Sequence, residues 1–276
     1  MLTYIDHVTL AVRDMEQAVD AFRQKLSMIV DKRQVDTEAG VTNAIIPLMQ
    51  GYLQLLSPIP ARASTPSELH TQLSSFLEAQ EGIFRFAIRS SNIAGDVASL
   101  HVRGSTLDEP KLQTDGSEDK SLGWWTSFPA TEPAEVAEPF LIQPEQAMED
   151  AVRQAALAHP FAIRSIQEVA VVVPKVDQAL LVYERDFGVR RTRELAGCAQ
   201  ISLRGSKIML IPSSATPLGT PLGIYSISLG TTDINGAKAQ LRLRDVAFQD
   251  DPFNWGIASQ IDPTQTCGSR IVLVQM

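Results

Sequence analysis

The sequence predicts an α+β fold made of four strand-helix-strand-strand-strand (βαβββ) modules, and three observations carry that expectation. A shift of 161 residues lays Ile166 to Val189 on Ile5 to Met28 without a gap, matching Val8 to Val169, Val12 to Val173 and Gln17-Ala18 to Gln178-Ala179, so the chain holds an internal duplication. Residues Ile5 to Val12 alternate with period two, which separates a face of Ile5, His7, Thr9 and Ala11 from a face of Asp6, Val8, Leu10 and Val12. From Asp14 to Leu26 the spacing becomes helical, with Met15, Ala18, Val19, Phe22 and Leu26 on one side and Asp14 placed as the N-cap.

The first module continues through strands over Met28 to Val35, Val41 to Met49 and Tyr52 to Ser57, separated at Gly40 and Gln50-Gly51 and closed by Pro58 and Pro60. A connector from Ala61 to Glu81 holds a helix that starts at Pro66-Ser67-Glu68 and carries Leu69, Leu73, Phe76 and Leu77. The second module has a strand over Ile83 to Ile88, a short helix over Asn92 to His101 and a polar loop from Leu107 to Lys120. Its last strands, Trp124 to Phe128 and Phe140 to Gln143, flank a loop rich in Pro, Glu and Ala. A helix over Glu145 to Leu157 forms a linker. The third module repeats the first and adds strands at Cys198 to Leu203 and Lys207 to Ile211 around Arg204-Gly205-Ser206. The fourth runs from a strand at Ile224 to Leu229 through a helix at Ile234 to Leu243 and a turn-rich stretch past Asp251-Pro252 to strands at Gly256 to Ile261 and Arg270 to Val274. The expected organisation is an N-terminal domain over 1–144 (modules 1–58 and 82–144), a linker over 145–160 and a C-terminal domain over 161–276 (modules 163–212 and 222–276).

Composition narrows the function. Hydrophobic residues at 44% and charged residues at 20% are those of a packed globular protein, so disorder is not expected. A formal charge of −8 argues against a nucleic-acid groove, because phosphate binding needs a basic field. No apolar run reaches the ~20 residues of a membrane helix, and Met1 to Tyr4 leads straight into a strand with no signal peptide, so a cytoplasmic protein is expected. Cys198 and Cys267 lack the close spacing of a zinc site and read as reduced thiols, with a single bridge left open. Phosphate loops, dinucleotide glycine fingerprints, Gly-x-Ser-x-Gly elbows and His-Glu-x-x-His motifs are absent.

The stretches Ile5-Asp-His-Val-Thr-Leu-Ala-Val with Asp14-Met-Glu-Gln-Ala, Thr42-Asn-Ala-Ile-Ile-Pro-Leu with Gly51-Tyr-Leu-Gln-Leu-Leu, and Trp125 to Pro129 with Pro139-Phe-Leu-Ile resemble the vicinal oxygen chelate superfamily. Within it the chain is similar to the glyoxalase-like proteins with two paired-module domains. The resemblance covers the first half in detail and the second by repetition. It implies that βαβββ modules pair into curved sheets forming a cup. Where a metal is bound, it sits between modules on ligands from their first and last strands. Members catalyse isomerisation, epimerisation, dioxygenase-type ring cleavage or thiol transfer, while others, of the bleomycin-resistance type, bind a small molecule without reacting.

Carried over residue by residue, the resemblance implies His7 as first-strand ligand and Gln54 where a Glu is usual, around one divalent ion such as Zn, Fe, Ni or Mn. Ile83 and Leu141 fall on the matching places of the second module, with Gln143 one pocket-facing step beyond, so the ligand set is short of the three protein ligands of a catalytic metal site. Gln lends an oxygen but no charge. In the second half Glu168 falls on His7 and Val272 is aligned with Gln54. Each candidate also has a plainer reading: His7 as a hydrogen-bonded core histidine, Glu168 as an ion-pair partner of an arginine such as Arg164, Arg85 as the partner of a loop acid, Asn43 as a turn former, Trp125 as core.

The alternation of Ile83 to Ile88 places Arg85 on the cup face with Ile83 and Ala87, and Phe84, Phe86 and Ile88 under the helix; a guanidinium so placed is a natural reader of carboxylate or phosphate. The expected ligand-binding set is therefore His7, Thr9, Asn43, Gln54, Arg85, Trp125 and Gln143. Three readings stand side by side: a metal-assisted lyase, isomerase or dioxygenase using His7 and Gln54, a non-catalytic binder of a small acidic or aromatic ligand using Arg85, Asn43 and Trp125, and a scaffold whose second half supports a homodimer. The expected partner is a small-molecule ligand, with a homodimer left open, rather than nucleic acid or membrane.

Overall fold

The computed structural model describes residues 1–31, 33–59, 66–114, 123–130, 137–156, 163–250 and 257–276. The Pro/Glu/Ala-rich stretch 131–136, the end of the polar loop at 115–122, the linker end at 157–160 and the Asp251-Pro252 turn lie outside them. The N-terminal half contains strands β1 (Leu2–Ala11), β2 (Arg33–Asp36), β3 (Val41–Pro47), β4 (Tyr52–Pro58), β5 (Gly82–Ser90), β6 (Lys111–Gln113), β7 (Trp124–Ser127) and β8 (Phe140–Pro144), with helices α1 (Met15–Asp20), α2 (Glu68–Ala79), α3 (Ile93–His101) and α4 (Gln146–Ala156). The C-terminal half contains β9 (Ile163–Val173), α5 (Val176–Phe187), β10 (Arg193–Leu195), β11 (Cys198–Ser202), β12 (Lys207–Pro212), β13 (Gly223–Thr231), α6 (Ile234–Leu243), β14 (Phe248–Asp250), β15 (Ala258–Ile261) and β16 (Ile271–Gln275).

Each half forms one eight-stranded sheet. The orders are β2-β3-β4-β1-β5-β8-β7-β6 and β10-β11-β12-β9-β13-β16-β15-β14, so adding eight to every strand number of the first gives the second. The duplication expected from the 161-residue shift is thus a repeat of wiring as well as of sequence. Register repeats too. Strand β1 pairs parallel with β4 through His7–Tyr52 and Thr9–Gln54, and β9 pairs parallel with β12 through Glu168–Lys207 and Ala170–Met209. The apolar rows Val8, Leu10, Leu53 and Leu55 and their counterparts Val169, Val171, Ile208 and Leu210 are fully buried. Burial of each such side chain contributes ~1.5–3 kcal/mol, which holds the two strands at this register.

The helix expected over Asp14 to Leu26 is divided. Asp14 caps α1 by accepting from Gln17 N at 3.1 Å, but Ala21–Lys25 widen into a π-helical turn in which Leu26 N donates to Ala21 O. The chain leaves it through Ser27 at φ +51°; its counterpart Gly188, at φ +62°, ends the unbroken α5. Glycine takes that left-handed conformation without strain and serine does not.

Packing groups the chain into two compact units. One holds Met1–Asp6, Arg85–Glu149 and Gln167–Ile227, and the other His7–Phe84, Asp150–Ile166 and Ser228–Met276. The sheets follow the halves of the sequence, whereas each unit draws a module from either half. In the first unit the buried Asp186 carboxylate, at the end of α5, accepts from Thr106 N at 2.6 Å, and the buried Tyr183 hydroxyl donates to Ala137 O. In the second, Gln50 N donates to Arg164 O, and Gly268 lies so close to Glu81 O that a Cβ there would come within 2.6 Å of it.

Strand β4 is covered on both faces. Helix α2 lays Leu73 and Leu77 on Ala11, Val41 and Leu56, with Phe84 and Phe76 in edge contact beside them. Alternation turns Leu53 and Leu55 to the opposite side, where α1 lies. Thus the connector helix sits on the face that carries His7, Thr9 and Gln54.

Candidate functional site

Within the second unit, four of the sequence-derived residues share one face. Thr9 and Gln54 are cross-strand partners, and the fully buried Thr9 hydroxyl donates to Gln54 Oε1 at 2.9 Å. His7, one pair away on β1, is buried and stacks on Tyr52, with ring centroids 4.5 Å apart and planes 10° from parallel. Asn43 pairs with Leu56, two residues beyond Gln54, and Ile45 separates it from the polar group on β3. Tyr52 was missed by sequence reasoning, although its period-two spacing from Gln54 in Tyr52-Leu-Gln carried the signal.

The first unit brings a different group together. Ala87, Phe140 and Ile142 pack with Trp124 and Phe128 as one apolar face. Phe128 and Phe140 stack at 4.6 Å, and the Arg85 guanidinium lies 5.7 Å and 5.2 Å from their centroids. Arg89, the other arginine of β5, is engaged in a partly buried ion network with Asp6 at 3.1 Å and Glu149 at 2.6 Å. Burial alone would lower its pKa, but the two carboxylates outweigh that and raise it, while burial pushes the nearby Tyr4 phenol up to about 12.

Trp125 and Gln143 are not in that group. They are cross-strand partners on the opposite face of β7 and β8, since Thr126 pairs with Ile142 and Trp125 with Gln143. Trp125 Nε1 donates to Glu145, and Gln143 Oε1 accepts from Ile93 N at 2.7 Å, closing the N-terminus of α3. Gln275 does the same for Ile234 N of α6 at 3.0 Å, so this amide is a repeated helix-anchoring device. The aromatic wall beside Arg85 is Trp124, Phe128 and Phe140 instead. Phe84 meets Phe76 of the connector helix α2 in edge contact.

In the C-terminal half, the register sets Met209, not Val272, at the place of Gln54, and Lys207 at that of Tyr52. Glu168 pairs with Lys207 at 3.0 Å in place of the expected arginine. A thioether and a carboxylate paired with a lysine make a poor chelating pair. Cys198 and Cys267 are free, and burial raises both thiols, Cys267 to about 11, so neither is an activated nucleophile.

The divalent ion implied by the resemblance finds a poor donor set. Its described candidates are the His7 imidazole and the neutral Gln54 oxygen, which already accepts the Thr9 proton. Ile83 and Leu141 are buried and apolar. Among the described residues no group of three or more His, Cys, Asp or Glu is close enough to hold a metal ion, and three protein ligands are the norm for a catalytic centre. These residues do not fit a catalytic divalent metal.

Residues 5–187 match the glyoxalase-like domain family. The chain belongs to that family, within the vicinal oxygen chelate superfamily. A hypothetical protein from Staphylococcus aureus is similar over 100% of both chains at 11% identity, with a TM-score of 0.71. A mutant 4-hydroxymandelate synthase from Streptomyces coelicolor is similar over 99% of this chain and 92% of its own at 15% identity, with a TM-score of 0.66. A fusion of a xylose isomerase-like TIM barrel and a 4-hydroxyphenylpyruvate dioxygenase matches 100% of this glyoxalase-like chain over 49% of its length, at 14% identity and a TM-score of 0.63. These likenesses establish the fold. No curated protein matches the sequence. Among the described residues no helix of this glyoxalase-like protein is long and apolar enough to cross a membrane.

Proposed function

We propose that the N-terminal half binds a small planar acid through Arg85, without a chelated metal ion. The observation that carries this reading is the guanidinium held 5.2 Å and 5.7 Å from the centroids of the stacked Phe140 and Phe128 rings. A cation against aromatic faces gains ~0.5–2 kcal/mol, which helps to orient its N–H fork. That fork matches a carboxylate in two parallel hydrogen bonds, and the Trp124, Phe128 and Phe140 wall suits the apolar body of an aryl acid. Isothermal titration with benzoate tests it. Arg85→Ala should weaken binding by about 10- to 150-fold, the worth of a charged hydrogen bond of ~1.5–3 kcal/mol. Equal affinity in the variant and the wild type would refute the reading.

The metal-assisted reading keeps one favourable observation, a buried imidazole on the face of Gln54. Metal analysis of protein purified without chelator decides it: near-stoichiometric Zn, Fe, Ni or Mn that is lost in His7→Ala would favour chelation over the proposal.

A further inference from the structure

We infer that Gln54 is a hydrogen-bond donor to a ligand oxygen, set in that role by Thr9, so that this face recognises a carbonyl or carboxylate acceptor directly. The inference rests on the reading that the N-terminal half binds a small molecule, but it does not involve Arg85. Thr9 is fully buried and its hydroxyl proton needs an acceptor; it has one in Gln54 Oε1 at 2.9 Å. A side-chain amide has one oxygen and one NH2 group, so committing the oxygen to Thr9 turns the two N–H donors to the other side. Among the described residues that nitrogen has no hydrogen-bond partner, although Gln54 is only half exposed.

The surroundings offer it little else. Ile45 lies opposite Gln54 on β3, and Leu56, the next residue of β4 on this face, is sealed by Leu73 of α2. On the other side the stacked His7 and Tyr52 rings bound the position. A partly desolvated donor flanked by Ile45, Leu56 and two stacked rings is costly when unmatched and selective when matched. An oxygen acceptor is the group that satisfies it; a cation or a pure donor is not. Thr9 acts as the positioning residue, because without its hydroxyl the amide is free to turn its oxygen outward.

The test is a proton–nitrogen NMR titration of protein labelled with 15N-glutamine, with the Gln54 side-chain resonance identified by its loss in Gln54→Met. Acetate and acetamide serve as probes of one carboxylate and one carbonyl. The Gln54 NH2 protons should move downfield saturably with both, and Thr9→Val, which keeps the shape of the side chain, should weaken the response about fivefold, the worth of one ordinary hydrogen bond. A silent Gln54 amide with both probes would overturn the inference. So would a Thr9→Val variant with an undiminished response, or a response to methylammonium instead of acetate, which would mean that the amide is turned the other way. The two readings fail separately: a Gln54 response that persists while Arg85→Ala leaves benzoate affinity unchanged removes the Arg85 reading alone, and a silent Gln54 amide alongside an Arg85-dependent benzoate affinity removes this one alone.

Discussion

Asp186→Asn tests how the first unit is held. The native carboxylate is fully buried and accepts from Thr106 N at 2.6 Å, from Thr106 Oγ1 at 3.2 Å and from Arg185 Nε at 3.0 Å. Burial alone would raise its pKa, but Arg185 and Thr106 together hold it below the usual carboxylate value. The amide keeps the shape, loses the charge and turns an NH2 group toward one of these donors. Removing one partner of a buried ion pair costs ~3–5 kcal/mol, but Arg185 is 43% exposed and can turn to water, so its share is small. What remains is one unmatched buried donor and a weakened bond to Thr106, for a loss of ~2–3 kcal/mol at pH 7. A group whose folded pKa is depressed stabilises above its unfolded value and loses that contribution as pH falls through the folded one. Urea unfolding should therefore show the variant weaker at pH 7, with the gap closing as pH drops below about 4, near the unfolded aspartate value. A loss under ~0.5 kcal/mol at pH 7, the scatter of an ordinary surface substitution, would refute the argument.

Two further outcomes follow from the same structure. Burial, then the Asp186 charge, raises the Glu138 pKa, so its contribution is present below the unfolded value and lost as pH rises through the folded one; Glu138→Gln should raise the melting temperature at pH 8 and leave it unchanged at pH 4. Ser27→Gly should stabilise the protein by ~0.5–1 kcal/mol in chemical unfolding, because φ +51° strains serine and the repeat already places Gly188 there; a destabilised variant would mean that the side chain makes a compensating contact.

Much of the fold was legible because burial on one face writes alternation into a strand. In β1 and β9 that alternation recurs at a fixed shift, so the strands, their helices and the duplicated wiring could be read together. The three-residue edge strands β6, β10 and β14 could not. Lys111-Leu112-Gln113 and Arg193-Glu194-Leu195 are largely exposed, and a strand wet on both sides has no face to encode. Residues of the site divide along the same line. His7, Thr9 and Gln54 lie on a patterned pair and were found on one face, whereas Trp124-Trp125 is a doublet of equal hydrophobicity whose orientation only the pairing with β8 reveals. Gln143 had a signal that went unread. Ser90-Ser91-Asn92-Ile93 repeats as Thr231-Thr232-Asp233-Ile234, and each copy is followed by a Gln at the end of its module that anchors the helix start.

The most direct measurement of the central claim is a crystal structure of the wild-type protein with benzoate. The carboxylate should lie within ~3 Å of the Arg85 guanidinium, the distance of a charge-assisted hydrogen bond, with the ring against the Trp124, Phe128 and Phe140 wall and no metal ion between ligand and protein. A benzoate whose oxygens are bound to a metal ion on His7, or one that leaves Arg85 untouched, would contradict it.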